Sequence, residues 1–202
     1  MSEPITPRPA SRRRRLALPV VVAGAAASLL LALSLSPSVA AFTAQIANNG
    51  NTAATGTLAM KESSGTATCT SGPTGAATCA TINKYGGNTA MVPGGAPVVT
   101  TVTITNTGTA PANTFTLAPG ACTSAPTSQT ANLCDKLRVV VAQDGTQIYA
   151  GTAAGFTAVL SRPALAAGAS STFTFSVSID SSADNAYQGL TASQPLVWQF
   201  SS

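Results

Sequence analysis

From Ser171 to Asp180 the chain alternates without a break. Phe173, Phe175, Val177 and Ile179 fall on one side, and Thr172, Thr174, Ser176 and Ser178 on the other. A helix would repeat its apolar stripe every three or four residues, so a sustained period of two defines a strand with one face in a core and one in water. The β-branched and aromatic types that carry it suit a pleated, half-buried surface. The same alternation recurs with Val98, Val102 and Ile104, with Phe115 and Leu117, with Leu137, Val139 and Val141, and with Leu196, Trp198 and Phe200. Asp144-Gly145, between two apolar stretches, predicts a tight hairpin. Asn106-Thr107-Gly108, Pro93-Gly94-Gly95, Pro119-Gly120, Arg162-Pro163 and Ala167-Gly168 punctuate the rest as short antiparallel strands require. Ala150 to Ala158 is alanine-rich enough for a short helix, which its threonines and glycines oppose. The expectation is an all-β, antiparallel sandwich.

Ahead of these strands lies a stretch of another kind. Arg12 to Arg15 form a basic n-region within residues 1–15, Leu16 to Leu35 an apolar h-region, and Pro37 precedes Ser38-Val39-Ala40. This is the pattern of an export signal over residues 1–40, its helix ended by Pro37, with small residues Ser38 and Ala40 at the positions a signal peptidase reads. Cleavage after Ala41 remains open beside cleavage after Ala40, and so does the choice between Sec and twin-arginine export, since four arginines in a row contain a pair by default. The apolar run is also about 30 Å long as a helix, enough for an uncleaved anchor. The charge follows the leader. Beyond residue 40, Lys61, Lys84, Lys136, Arg138 and Arg162 are balanced by Glu62, Asp135, Asp144, Asp180 and Asp184. The chain's net charge of +4 therefore belongs to the leader, and no basic face remains for nucleic acid.

An exported chain meets an oxidising compartment, where the four cysteines Cys69, Cys79, Cys122 and Cys134 read as two disulfides. Of the three possible connectivities, Cys69 with Cys79 and Cys122 with Cys134 are expected, because each pair closes a short Gly/Pro/Ser/Thr-rich loop. Closing such a loop stabilises by about 3 kcal/mol. Zinc is disfavoured, since the spacings exceed those of structural zinc sites and there is no histidine.

Catalysis has little to work with. The body contains no histidine, only the five carboxylates named above and, with both disulfides formed, no free thiol. No G-x-S-x-G, H-E-x-x-H, S-x-x-K or phosphate-binding loop is present. The expectation is a non-enzyme with no cofactor, metal or small-molecule substrate. Asp180, Asp184 and Asn185 suggest calcium less than a turn whose side chains bond the backbone. Tyr187 and Trp198 offer stacking faces for sugar, but Trp198 alternates with Leu196 and Phe200 and reads as core.

Two stretches carry a family resemblance. AFTAQIANNGNTAATGTLAM (Ala41 to Met60) resembles the start of mature TasA/camelysin-like proteins, through Ala41-Phe42, the Asn-rich stretch Asn48 to Asn51 and Gly56-Thr57-Leu58. FTFSVSIDSSADNAYQGLTAS (Phe173 to Ser193) is similar to that family's closing strand and D-N-x-Y-Q-G turn, here Asp184, Asn185, Tyr187, Gln188 and Gly189. VPGGAPVVTTVTITNTGTAPA resembles the family's central strand. The resemblance implies a jelly-roll-like β-sandwich over residues 41–202, a leader cut by a SipW-type signal peptidase, and a role in extracellular matrix or cell-surface fibres. Such fibres grow when the N-terminal strand of one subunit inserts into the sheet of the next. Camelysins have been classed as metalloendopeptidases, an activity not carried over to a chain without histidine. The four cysteines are additions to the matched motifs.

The residues supply their own reason to consider strand donation. Phe42, Ala44 and Ile46 alternate with Thr43 and Gln45, and Asn48-Asn49-Gly50-Asn51 follows as a flexible joint. A short amphipathic strand at a new N-terminus can pair in its own sheet or at a neighbour's edge. The expected function is a secreted structural subunit that self-associates or joins related surface subunits. The alternative is a monomeric β-sandwich adhesin or binding module.

Overall fold

The computed structural model describes residues 46, 50–72, 75–87 and 89–202. The chain divides into two compact units, Met1–Thr52 and Ala53–Ser202, and of the first only residue 46 and residues 50–52 are described. The leader, Ser38, Ala40, Ala41 and the strand residues Phe42, Thr43, Ala44 and Gln45 lie outside the described residues. Ile46, the last of that strand, is 99% exposed.

The second unit is built of eleven strands: β1 (Met60–Ser64), β2 (Ala67–Thr70), β3 (Val98–Asn106), β4 (Thr114–Pro119), β5 (Thr123–Ala125), β6 (Leu137–Gln143), β7 (Thr146–Thr152), β8 (Leu160–Arg162), β9 (Ser170–Ile179), β10 (Thr191–Ser193) and β11 (Leu196–Ser201). Six form one sheet in the order β2-β1-β3-β9-β6-β7, three form a second in the order β11-β4-β8, and β10 pairs with β5. Every strand pairing is antiparallel.

The alternation in the sequence becomes a two-layered core. Phe173, Phe175 and Val177 of β9, Val102 and Ile104 of β3, and Val139 and Val141 of β6 are wholly buried on the inner face of the six-stranded sheet. Phe115 and Leu117 of β4 face them from the other sheet. The layers meet through rings: Phe115 stands edge-on to Phe173 at 5.7 Å, and Trp198 of β11 lies 4.5 Å from Phe173. Side chains of this size contribute roughly 1.5–3 kcal/mol each by leaving water. The protein is an all-β sandwich.

The turns work as their residues dictate. Asp144 and Gly145 take φ of 47° and 84°, the left-handed pair that a two-residue hairpin between twisted strands needs. The Asp144 carboxylate also accepts from Thr172 N and Ser171 Oγ (both 2.8 Å), fastening the β6–β7 hairpin to β9. At the end of β3 the buried Asn106 side chain accepts from Gly108 N and donates to the carbonyls of Ala110 and Leu165. Gly108 allows close approach there, because a Cβ would run into the Thr57 carbonyl. One expectation changes. Ala150 to Ala158 forms no helix: β7 continues to Thr152, and a turn then buries Ala153 and Phe156. Pairing with β6 outweighs the modest helical propensity of a few alanines.

Candidate functional site

A groove of about 760 Å³ opens between three walls: the start of β1, the connection from β2 towards β3, and the β10–β11 segment. It follows from how the second sheet ends. In an antiparallel pair, directly opposed residues alternate between exchanging both backbone bonds and exchanging none. Gly120 N donates to Pro195 O (2.8 Å), and the register pairs Val197 with Ala118 and Gln199 with Thr116. Val197 and Gln199 therefore turn their backbone groups to β4. Those of Leu196, Trp198 and Phe200 point the other way, where no described strand follows. β11 is an edge, and its free side borders the groove.

The groove wall mixes polar and apolar residues and holds one connected polar cluster. β1 reads MKESS, and its pleat turns Glu62 inward, 8% exposed and opposite Ile104. Glu62 Oε1 accepts from Lys84 Nζ at 2.6 Å and from Trp198 Nε1 at 2.9 Å. Carboxylate and ammonium are each about nine-tenths buried, so removing either partner strands a buried charge. Next to Lys84, Tyr85 donates its hydroxyl to Gln194 Oε1 (2.7 Å), while Gln194 Nε2 donates to the carbonyls of Gly120 and Phe156 (2.8 Å each). Burial, with Tyr149 nearby, pushes the Tyr85 phenol well above its ordinary range. It stays a neutral donor at any physiological pH. These contacts tie the β2–β3 connection to the turn before β11.

Both disulfides form as expected, Cys69 with Cys79 and Cys122 with Cys134, which suits an oxidising compartment. The first forms part of the groove wall. The second joins β5's approach to a short 3-10 turn at Leu133–Asp135, where Asn132 caps Cys134 N and Cys134 is 1% exposed.

The other expected residues have local roles. Asp180 accepts from Ser182 N and Oγ (3.0 and 2.7 Å), and these bonds hold its carboxyl below the usual range, with Lys136 and Arg138 adding to the effect. Asp184 caps a 3-10 turn at Asn185–Tyr187 by accepting from Ala186 N. Both carboxylates serve turns, as the sequence favoured over calcium. Trp198 packs against Phe115, Phe173 and Phe175 as core, yet its indole N–H reaches the groove. Among the described residues no three His, Cys, Asp or Glu side chains gather as for a metal, and no helix is long and apolar enough to cross a membrane.

Glu62, Lys84, Tyr85 and Gln194 were not anticipated as a group. Their one sequence signal is rarity: Glu62 is the only glutamate after residue 40. No protein-family model matches the chain, and no curated protein matches it in sequence.

Proposed function

We propose that the mature chain is a secreted structural subunit of extracellular matrix or cell-surface fibres, assembling when the strand Phe42 to Ile46 of one copy pairs with the β11 edge of another. The observation that carries the proposal is that edge, which among the described residues has no strand paired along Leu196, Trp198 and Phe200 and lies beside a groove with room for side chains. An unpaired edge is a template for a further strand, and the main-chain bonds of an added strand supply affinity while pockets for alternate side chains supply selectivity. The chain provides a suitable strand in Phe42, Ala44 and Ile46, with polar Thr43 and Gln45 between. Its tether reaches the body at Leu58, Ala59 and Met60, which themselves line the groove. The resemblance to TasA/camelysin-like proteins points the same way and adds a jelly-roll-like arrangement and a SipW-type leader. The absence of histidine and the ion pair that engages Glu62, the one carboxylate lining the groove among the described residues, support a non-catalytic role.

The test compares the protein beginning at Ala41 with one beginning at Ala47. Sedimentation and electron microscopy should show concentration-dependent fibres of the first and monomers of the second. Equal assembly of the two overturns strand donation. A monomer at all concentrations from both would favour the binding-module alternative.

A further inference from the structure

We infer that the groove reads a free α-ammonium group: the amino terminus created when the leader is cut, presented by the N-terminal strand of a second copy and bound by Glu62. The inference rests on the strand-pairing function proposed above and assigns the chemistry that controls it. An ionised carboxylate offers about four acceptor positions on two oxygens. In Glu62 both donors, Lys84 Nζ and Trp198 Nε1, meet Oε1. Oε2 makes no hydrogen bond with a described residue, although the side chain is nine-tenths buried and lines the groove. That oxygen is not sealed off but open to the groove, where an occupant carrying N–H donors can reach it.

The N-terminal segment has one group suited to that oxygen. In a strand laid against β11 with Phe42, Ala44 and Ile46 turned to the core, Thr43 and Gln45 point away, and the backbone N–H groups that face β11 are engaged by its edge. The terminal ammonium remains, with three N–H donors and a positive charge. Position agrees. Glu62 touches Trp198, midway along Leu196–Ser201, so a strand starting there covers half of the edge, a span that Phe42 to Ile46 can fill. In the precursor the same nitrogen is an uncharged amide joined to the leader. Cleavage therefore creates the ligand, and assembly waits for export through charge as well as through tethering.

The experiment uses peptides of the sequence Ala41 to Gly50, and others starting at Phe42, with the amine either free or acetylated. Each carries a fluorophore at its C-terminus and is titrated into the mature protein by anisotropy. Acetylation should weaken binding about tenfold or more, and Glu62→Gln should abolish most of that difference by weakening the free-amine peptide alone. In parallel, mature protein with an acetylated terminus should remain monomeric at concentrations where the free form sediments as fibres. If free and acetylated peptides bind the wild-type protein equally, the ammonium is not read and the inference fails while strand pairing stands. If neither binds and neither protein assembles, the inference falls together with the proposed function. The wild-type comparison holds even if Glu62→Gln fails to fold.

Discussion

Strands β9 and β11 are written in the same code and end in different circumstances. Both alternate large apolar residues with polar or smaller ones, and both turn the large ones inward. β9 lies between β3 and β6, and Phe173, Phe175 and Val177 vanish from solvent. Among the described strands β11 has β4 on one side only, and Leu196, Trp198 and Phe200 remain half-buried. Periodicity thus states which way a strand faces, and neighbours decide how much that is worth. The same comparison separates the part of the molecule that holds the fold from the edge at which we propose a second copy pairs.

The largest expected effect sharpens this contrast. Phe175→Ala should cost roughly 3–5 kcal/mol, the range for truncating a fully enclosed ring. Phe200→Ala, at an edge where water can refill the space, should cost about half as much. Urea midpoints for the two variants decide the matter. Equal losses would mean that the β11 side is as closed as the centre, and the groove would lose its standing as a docking surface.

The disulfides repeat the contrast in covalent form. Their loops look alike in sequence, and loop closure alone gives each about 3 kcal/mol. Cys134 is packed in the core, whereas the Cys69–Cys79 loop borders the groove. Replacing Cys122 and Cys134 by serine should therefore exceed that figure, because a hydroxyl enters an apolar site. Replacing Cys69 and Cys79 should fall below it while altering the proposed strand-driven assembly. Thermal unfolding measures the first difference and sedimentation the second.

How far these regions could be foreseen follows from what each depends on. The core residues of β9, β3 and β6, the Asp144-Gly145 hairpin and both disulfide pairs arise from local pattern or short loops, and each is legible in the chain. The groove is not local. Glu62 and Trp198 are 136 residues apart, and Lys84 and Tyr85 sit in a connection without periodicity. β1 hides its role further, since MKESS reads as a polar stretch until pairing with β3 sets Glu62 opposite Ile104. That β11 has no second neighbour among the described strands is beyond sequence altogether, because it depends on the order in which the strands assemble.

Tyr85→Phe tests how firmly the groove's wall is fixed. The variant keeps the ring and removes the hydroxyl that Gln194 accepts, leaving Gln194 Oε1 without its donor. A loss of about 1 kcal/mol is expected, with faster amide exchange confined to the β2–β3 connection and the β10–β11 turn. Exchange that rises equally in β9 would show that the groove and the core open as one unit, against the division drawn above.

The smallest effect belongs to the rim of the closed region, where Asp180 follows β9. Its carboxyl is held low first by the Ser182 N–H, then by the Ser182 hydroxyl, with Lys136 and Arg138 assisting. A folded-state value below the ordinary 3.8 means that the charged form is favoured by folding. The contribution is fully present above that ordinary value and is lost as pH falls through the lower folded one. Asp180→Asn should therefore lower the melting temperature slightly at pH 7, and the gap between variant and wild type should close towards pH 2. Since Asp180 lies at the surface, only partly covered, screening keeps the effect small, and added salt should shrink it further. Asparagine still offers an oxygen to Ser182 N and removes only the anion, so a gap that persists at pH 2 would show that the loss does not come from the charge.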